Sequence, residues 1–290
     1  MRSGSAPWYG LPWMSAAVLV LGAPVAAAPP SIEIQISRPS LRQGAAAGIV
    51  VRASAPVVRL TLTFAGRSWP LYPSGERTWR TVVGTDPTTA PRRHLLVAEA
   101  IAAGGVRAVA SRTIAVTRVT FPSRRLTFDP DRQALLTPEK VAEERRRVAA
   151  ALRELHQRQL WTGALAMPVE GSVSSPYGVL SIYQGVTRGF HGGVDIAAAE
   201  GTPVYAAADG IVRLAEPLPL SGNAVLLDHG LGVVSSYLHL SSVTVQAGQR
   251  VARGEPVGRV GSTGLATGPH LHWGLRVNGV RVDPVAWTRR

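Results

Sequence analysis

The chain has 290 residues and a net charge of +13, carried almost entirely by arginine because Lys140 is the only lysine. This excess of positive charge fits either a genome whose base composition favours arginine codons or a protein that works on an anionic surface. The sequence has no basic stripe with interleaved aromatic residues, which argues against a nucleic-acid partner. The absence of cysteine excludes disulfides and cysteine-bound zinc, so any metal must be held by histidine and carboxylate.

Residues 1–28 have the order of a secretory signal peptide. Arg2 supplies positive charge, an apolar stretch is densest over 16–21, and "PVAAAPP" offers small residues for cleavage near Ala27 or Ala28. An uncleaved anchor is the alternative, but the apolar run is short for a span of about 20 residues. No later stretch is long and apolar enough to span a membrane. We therefore expect a secreted protein that acts in the periplasm or cell envelope.

Residues 29–118 are predicted to form a small antiparallel β-sandwich of the immunoglobulin-like kind. Apolar residues alternate with polar ones in short runs, and Gly, Pro or Asp clusters separate most of the runs. This part of the chain offers no obvious chemistry. The predicted strands are "SIEIQIS", "AGIVVRA", "VVRLTLTF", "RTWRTVV", "RHLLVAEA" and "SRTIAVTRV".

Residues 119–161 are predicted to be a linker with one helix. Thr137 is a capping residue, Pro138 suits the first helical position, and Glu139 lies in the first turn. The stripe on one helical face covers only about two heptads, which is short for a coiled coil. A connecting helix is the simpler interpretation. The stripe consists of Val141, Val148, Leu152 and Leu155.

Residues 162–290 again show short strands with Gly-rich turns, which predicts an antiparallel β domain. Asn278-Gly279 lies between two alternating runs, a strong signal for a two-residue hairpin. The fold class expected for the whole chain is thus mostly β, with two β domains joined by a helix. The predicted strands lie in "TPVYAAADGIVRLAE", "NAVLLDHG", "VVSSYLHL", "QRVARGEPVGRVG", "HLHWGLRV" and "VRVDPVAW".

Two segments of this last domain carry candidate metal ligands. In "HGGVDIAA", glycines disfavour a helix, so His191 and Asp195 flank a turn that enters a strand. In "HLHWG", a strand would place His270 and His272 on one face. Three ligands of the His, His, Asp type would leave an open position on zinc, as catalytic sites require. From these residues alone, a metal site and ordinary polar turns both remain possible.

The domain resembles the lysostaphin/LytM-type zinc metallopeptidases over about residues 165–290. The resemblance implies a zinc endopeptidase that cuts peptide cross-links of bacterial peptidoglycan. The segments that carry it, in order and spacing, are "RGFHGGVDIAA", "GTPVYAAADGIV", "GNAVLLDHG", "SSYLHL", "VARGEPVGRVGSTG" and "TGPHLHWGL".

The resemblance also implies roles for individual residues. His191, Asp195 and His272 are the expected zinc ligands, and His239 and His270 are the expected catalytic residues. One departure concerns the arginine that many relatives carry soon after an "S-x-F-G" stretch. Here Val179 stands at that place, which puts the shape of the cleft floor in doubt.

Two other classes of function compete with an active enzyme. Some members of the resembled family have lost ligands and activate other cell-wall hydrolases, but all five expected positions are present here. A carrier-type β domain is suggested by "VQAGQRVARGEPVGRVG". Biotin and lipoyl carriers centre on a modified lysine, however, and no lysine follows Lys140. The sequence leaves the oligomeric state open.

Overall fold

A computed structural model describes residues 30–183 and 186–288 of the chain. The predicted signal peptide, residues 1–28, lies outside these described residues. Among the described residues, no helix combines the length and apolar character needed to cross a membrane.

Two sheets that share one core form the first part of the structure. Their strand orders are β1-β3-β7-β6 and β2-β9-β8-β4-β5, with the predicted alternation: along β8, every second side chain is buried. All pairs are antiparallel except the short β2–β9 pair, which is parallel. The strands are β1 (Ile32–Ile36), β2 (Ser40–Arg42), β3 (Ala46–Ala53), β4 (Arg59–Phe64), β5 (Arg67–Ser68), β6 (Tyr72–Gly75), β7 (Thr78–Gly84), β8 (Arg93–Ile101) and β9 (Arg107–Thr117), with a 3-10 turn at Ala103–Gly105 before β9.

The next segment contains the predicted helix and one strand that the sequence did not indicate. It comprises β10 (Ser123–Leu126), α1 (Pro130–Gln133) and α2 (Pro138–Ala151). Thr137 caps α2 as expected, because its hydroxyl oxygen accepts from the Lys140 amide at 3.3 Å. Val148 and Leu152 pack on an apolar cluster of the following sheet. The helix therefore rests on the C-terminal half.

An eight-stranded sheet dominates the rest of the chain. Its order is β11-β14-β22-β18-β17-β16-β20, with β23 beside β22, and a smaller sheet has the order β15-β21-β19. β10 pairs in parallel with β12, which in turn pairs with β13. The strands are β11 (Ser172–Ser175), β12 (Leu180–Tyr183), β13 (Val186–Phe190), β14 (Gly193–Ala197), β15 (Pro203–Tyr205), β16 (Gly210–Leu218), β17 (Gly222–Asp228), β18 (Val233–Leu240), β19 (Ser242–Val243), β20 (Arg250–Val251), β21 (Pro256–Arg259), β22 (His270–Val277) and β23 (Val280–Val282).

The C-terminal segment confirms one local prediction and corrects another. Asn278 and Gly279 both have positive φ, +46° and +83°, as a tight hairpin between β22 and β23 requires. The strand predicted through "VRVDPVAW" ends at Val282, and Pro284–Trp287 form a 3-10 turn instead. Asp283 caps that turn by accepting from the Val285 amide at 3.1 Å, and Pro284 has the φ of a helical first residue.

The two β parts are joined by more than the linker. The Tyr72 hydroxyl donates a hydrogen bond to Asn278 Oδ1 at 2.7 Å, and the side-chain Nδ2 of Asn278 donates to the Val82 carbonyl at 2.9 Å. Buried side chains of both parts also belong to one continuous apolar cluster. The hairpin that follows β22 is therefore anchored on the first sandwich.

Candidate metal centre

The neighbouring strands β14 and β22 bring the two candidate segments together. Asp195 stands directly opposite His272 in this antiparallel pair. His270 and His272 lie on one face of β22, while Leu271 between them is fully buried, as the period of a strand predicts. His191 precedes β14 in a loop. Gly193 must be a glycine, because a Cβ there would clash with the Trp273 carbonyl oxygen.

Three donor atoms from these segments form a nearly equilateral triangle. His191 Nε2 lies 2.9 Å from Asp195 Oδ1 and 3.0 Å from His272 Nδ1, and the latter two atoms are 2.9 Å apart. With metal–ligand bonds of 2.0–2.1 Å, tetrahedral coordination places ligand atoms about 3.3 Å apart. The triangle therefore needs only a slight expansion to hold a tetrahedral ion such as zinc, with one position left open.

Hydrogen bonds and burial around these three donor atoms favour the protonation states that bind a metal. His191 Nδ1 lies 3.0 Å from the Pro176 carbonyl, an acceptor that would hold the ring proton on Nδ1 when Nε2 binds a metal. Burial lowers the pKa of His272, which favours its neutral, metal-binding form. Burial alone would raise the pKa of Asp195, but hydrogen bonds with His191 and His272 outweigh it and hold that pKa well below its usual range.

Arg124 of β10 is a neighbour of the triangle that sequence reasoning missed. Its Nη1 donates to the Ser175 hydroxyl at 2.9 Å and lies 3.6 Å from Asp195 Oδ2. The second carboxylate oxygen of Asp195 thus faces a cation, while the first faces the histidines. No local signal marked Arg124, since it approaches the site only through the pairing of β10 with β12.

Val179, where the sequence departs from the resembled pattern, is buried and contributes its backbone. Its carbonyl accepts from the His191 amide at 2.8 Å, and the neighbouring Gly178 amide donates to the His191 carbonyl at 2.9 Å. These two bonds fix the loop on which His191 lies. The departure therefore leaves the support of His191 in place.

His239 reaches the site through an irregularity in the sheet. The β17–β18 register shifts between Tyr237 and Leu240, an interval that contains His239. His239 has a φ of +64°, a strained value for a residue other than glycine. Its Nδ1 lies 2.9 Å from the Thr263 carbonyl, which assigns the proton to Nδ1 and a free lone pair to Nε2. Burial, with smaller contributions from His272 and His270, lowers the pKa of His239 to about 3. The ring is therefore neutral at pH 7.

His270 lies between His239 and the triangle. Its ring is 5.0 Å from that of His239, centroid to centroid, and its Nε2 is 3.7 Å from Asp195 Oδ1. Its Nδ1 lies 2.8 Å from the Gly268 carbonyl, so Nε2 again has a free lone pair. Two potential proton acceptors thus lie beside three potential metal ligands. This combination can activate a metal-bound water molecule, because the metal lowers the pKa of the water and a nearby base accepts its proton.

Comparisons with known proteins identify a family for the part of the chain that carries these residues. The model of peptidase family M23 matches residues 189–284, which contain all five residues. A crystal structure from Pseudomonas aeruginosa described as a peptidase M23 is 30% identical, with a TM-score of 0.60, and the match covers 85% of this chain and 93% of that one.

Curated relatives match over a shorter stretch. The chain is 47% identical over 93 residues to the peptidoglycan DD-endopeptidase ShyA of Vibrio cholerae, covering 32% of this chain and 22% of that protein. It is 46% identical over 114 residues to the DD-carboxypeptidase/endopeptidase Mpg of Neisseria meningitidis serogroup B, covering 39% and 26%. The chain therefore spans only about a quarter of the length of these relatives.

Fold and site together define a candidate metal centre built on an antiparallel sheet. The chain belongs to peptidase family M23.

Proposed function

We propose that this protein is a zinc endopeptidase that hydrolyses peptide cross-links of bacterial peptidoglycan outside the cytoplasm. The substrate is supported by the names of the relatives, a peptidoglycan DD-endopeptidase and a DD-carboxypeptidase/endopeptidase. These names favour a cross-link at D-alanine over a glycine bridge. In this proposal, residues 1–28 are a signal peptide, 29–118 a sandwich domain, 119–161 a linker and 162–290 the peptidase domain.

One observation carries the proposal: three donor atoms within 3.0 Å of one another stand next to two further imidazoles. His191, Asp195 and His272 would hold the zinc ion. When bound, zinc supplies Lewis acidity that polarises the scissile carbonyl and makes water a nucleophile at neutral pH. A structural zinc site would have four protein ligands, whereas this cluster has three.

The other two histidines would move protons. Each holds its Nδ1 proton against a backbone carbonyl and presents an unprotonated Nε2. His239 would accept the proton of the attacking water on its free Nε2, which the contact of Nδ1 with the Thr263 carbonyl keeps available. A proton taken up by either ring can pass to the leaving amine, while the carbonyl contacts keep the rings oriented.

An inactive family member that only activates other hydrolases is the competing hypothesis. Such a protein has no need to keep its ligands and both additional histidines in register. Here all five side chains converge on one face of the sheet, which favours the enzyme.

Single substitutions distinguish residues that bind zinc from residues that take part in catalysis. His191→Ala, Asp195→Ala and His272→Ala are expected to lose zinc together with activity. His239→Ala and His270→Ala are expected to retain zinc but hydrolyse peptidoglycan roughly 10²–10⁴-fold more slowly. Metal content by atomic spectroscopy and the hydrolysis rate are measured for all five variants. Full zinc in His191→Ala or Asp195→Ala would refute the ligand assignment, and normal rates in His239→Ala and His270→Ala would refute the catalytic one.

A further inference from the structure

A cavity of about 160 Å³ lies beside the candidate metal centre, between α2 and the sheet. Its lining includes Glu144 of α2, Ser236 of β18, His272 and Arg276 of β22, and Arg281 of β23. His272 and Arg276 are four residues apart on one face of β22, with Gly274 between them leaving room above the strand. The volume is sufficient for a carboxylate group and a few water molecules.

Two arginines in this lining form no ion pair with the described residues, although the negative charge of Glu144 acts on Arg276 without direct contact. Arg276 and Arg281 are directly paired across β22 and β23, where like charges repel. Neither side chain makes a hydrogen bond or ion pair with any other described residue. Burial, with a smaller contribution from Arg281 and against an opposing one from Glu144, lowers the pKa of Arg276 to about 10, so its guanidinium group is charged at pH 7. A half-buried cation such as Arg276, which has no ion-pair partner in contact with it, is stabilised by a ligand of opposite charge.

Two further unpaired donors face the same space. The hydroxyl of the buried Ser236 has no hydrogen-bond partner among the described residues. His272 directs its Nδ1 to the triangle, so with a metal on Nδ1 the neutral ring would carry its proton on Nε2. No described residue accepts from this Nε2, whereas the equivalent proton of His191 is held by the Pro176 carbonyl. Metal-binding histidines almost always donate that second proton to an acceptor.

Glu144 is the one acidic residue in this lining, and it is engaged elsewhere. Its two oxygens accept from the Leu220 amide at 2.7 Å, from the Ser221 amide at 3.0 Å and from the Ser221 hydroxyl at 2.6 Å. It makes no ion pair with Arg276 or Arg281 in the part of the chain that the structure describes. The cavity therefore offers an excess of donors and of positive charge.

We propose that this cavity is a carboxylate-binding site in which Arg276, Arg281 and Ser236 hold the anion against the Nε2 proton of His272. Arg281 is exposed and its guanidinium lies over Gly192, next to His191, so the site has an opening beside the metal loop. A carboxylate there completes the outer shell of a metal ligand and makes His272 more basic. The carboxylate can belong to a free acid or to the peptide that the proposed function assigns as substrate.

Thermal unfolding tests the site without relying on catalysis. We expect acetate to raise the Tm of the parent protein above its value in chloride of the same ionic strength, since a ligand that binds only the folded state stabilises it. The double variant Arg276→Gln/Arg281→Gln should show no rise, while the exposed control Arg253→Gln should behave like the parent. Without anion, the double variant should melt no lower than the parent because a repulsion has been removed. A lower Tm would mean that the arginines are structural and would overturn the proposal.

A peptide pair identifies the source of the carboxylate. A cross-linked peptide with its carboxylate free beside the scissile amide is compared with its carboxamide for binding to the zinc-loaded His270→Ala variant. If the substrate supplies the group, the free acid binds about 10- to 100-fold more tightly, as expected for charged hydrogen bonds, and the preference vanishes when Arg276→Gln and Arg281→Gln are added. An effect of acetate without a peptide preference assigns a free acid. No response to either probe overturns the site, whereas failure of zinc to bind the parent contradicts the proposed function alone.

Discussion

Asp195 uses its two carboxylate oxygens for different contacts. Oδ1 faces His191 and His272, whereas Oδ2 lies 3.6 Å from Arg124 Nη1. Arg124 is in turn held by the Ser175 hydroxyl. If Asp195 binds a metal as proposed, this division would keep Oδ1 directed at the ion, with Arg124 acting as an outer-shell residue.

Arg124→Gln is therefore expected to weaken zinc binding by about 10- to 100-fold, the usual effect of losing an outer-shell partner. Zinc affinity is measured by competition with a chelator of known affinity. The matched control is Arg125→Gln, which removes an exposed charge from the neighbouring position of β10. Equal weakening in both variants would show that only net charge matters, and unchanged affinity in Arg124→Gln would exclude the outer-shell role.

At the scale of elements, α2 holds the loop that supports His239. The carboxylate of Glu144 accepts three hydrogen bonds from Leu220 and Ser221. The Ser221 carbonyl then accepts from the His239 amide at 2.9 Å. Because His239 has a strained positive φ, its position depends on such support from its surroundings. The helix thus contributes to the proposed catalytic geometry without touching substrate.

Glu144→Gln is expected to lower kcat about tenfold, the effect of roughly 1.4 kcal/mol on the barrier, with zinc content unchanged. The amide of glutamine has only one acceptor oxygen for three donors, so the loop at Ser221 loosens. Glu143→Gln is the control, since among the described residues Glu143 pairs only with Arg147 of the same helix and does not contact the loop at Ser221. A kcat equal to that of the parent would show that the helix does not position His239.

Local patterns predicted some of these elements and could not predict others. Period-2 alternation placed His270 and His272 on one face, and capping chemistry located the start of α2 at Thr137. The contributions of Arg124 and Glu144 arise from contacts over 51 and 77 residues of sequence, which no local window contains. At the C-terminus, alternation favoured a strand through Trp287, but the Asp283 cap and Pro284 turned the chain instead.

At the scale of the whole molecule, the sandwich and the sheet with the candidate metal centre pack as one body. Asn278, in the hairpin that follows the β22 histidines, is bonded to Tyr72 and Val82 of the sandwich. The linker segment adds β10 to one side of the site and α2 to the other. Residues from three parts of the sequence thus surround a centre whose five key side chains all lie in the last part.

The most direct test of the central claim is mass spectrometry of purified peptidoglycan digested by the zinc-loaded protein, by the metal-free protein and by the His270→Ala variant. The account predicts that the zinc-loaded parent converts cross-linked dimers into monomers by breaking a peptide bond, and that the other two preparations leave the dimers intact. Equal cleavage with and without zinc, or intact dimers in all three digests, would contradict it.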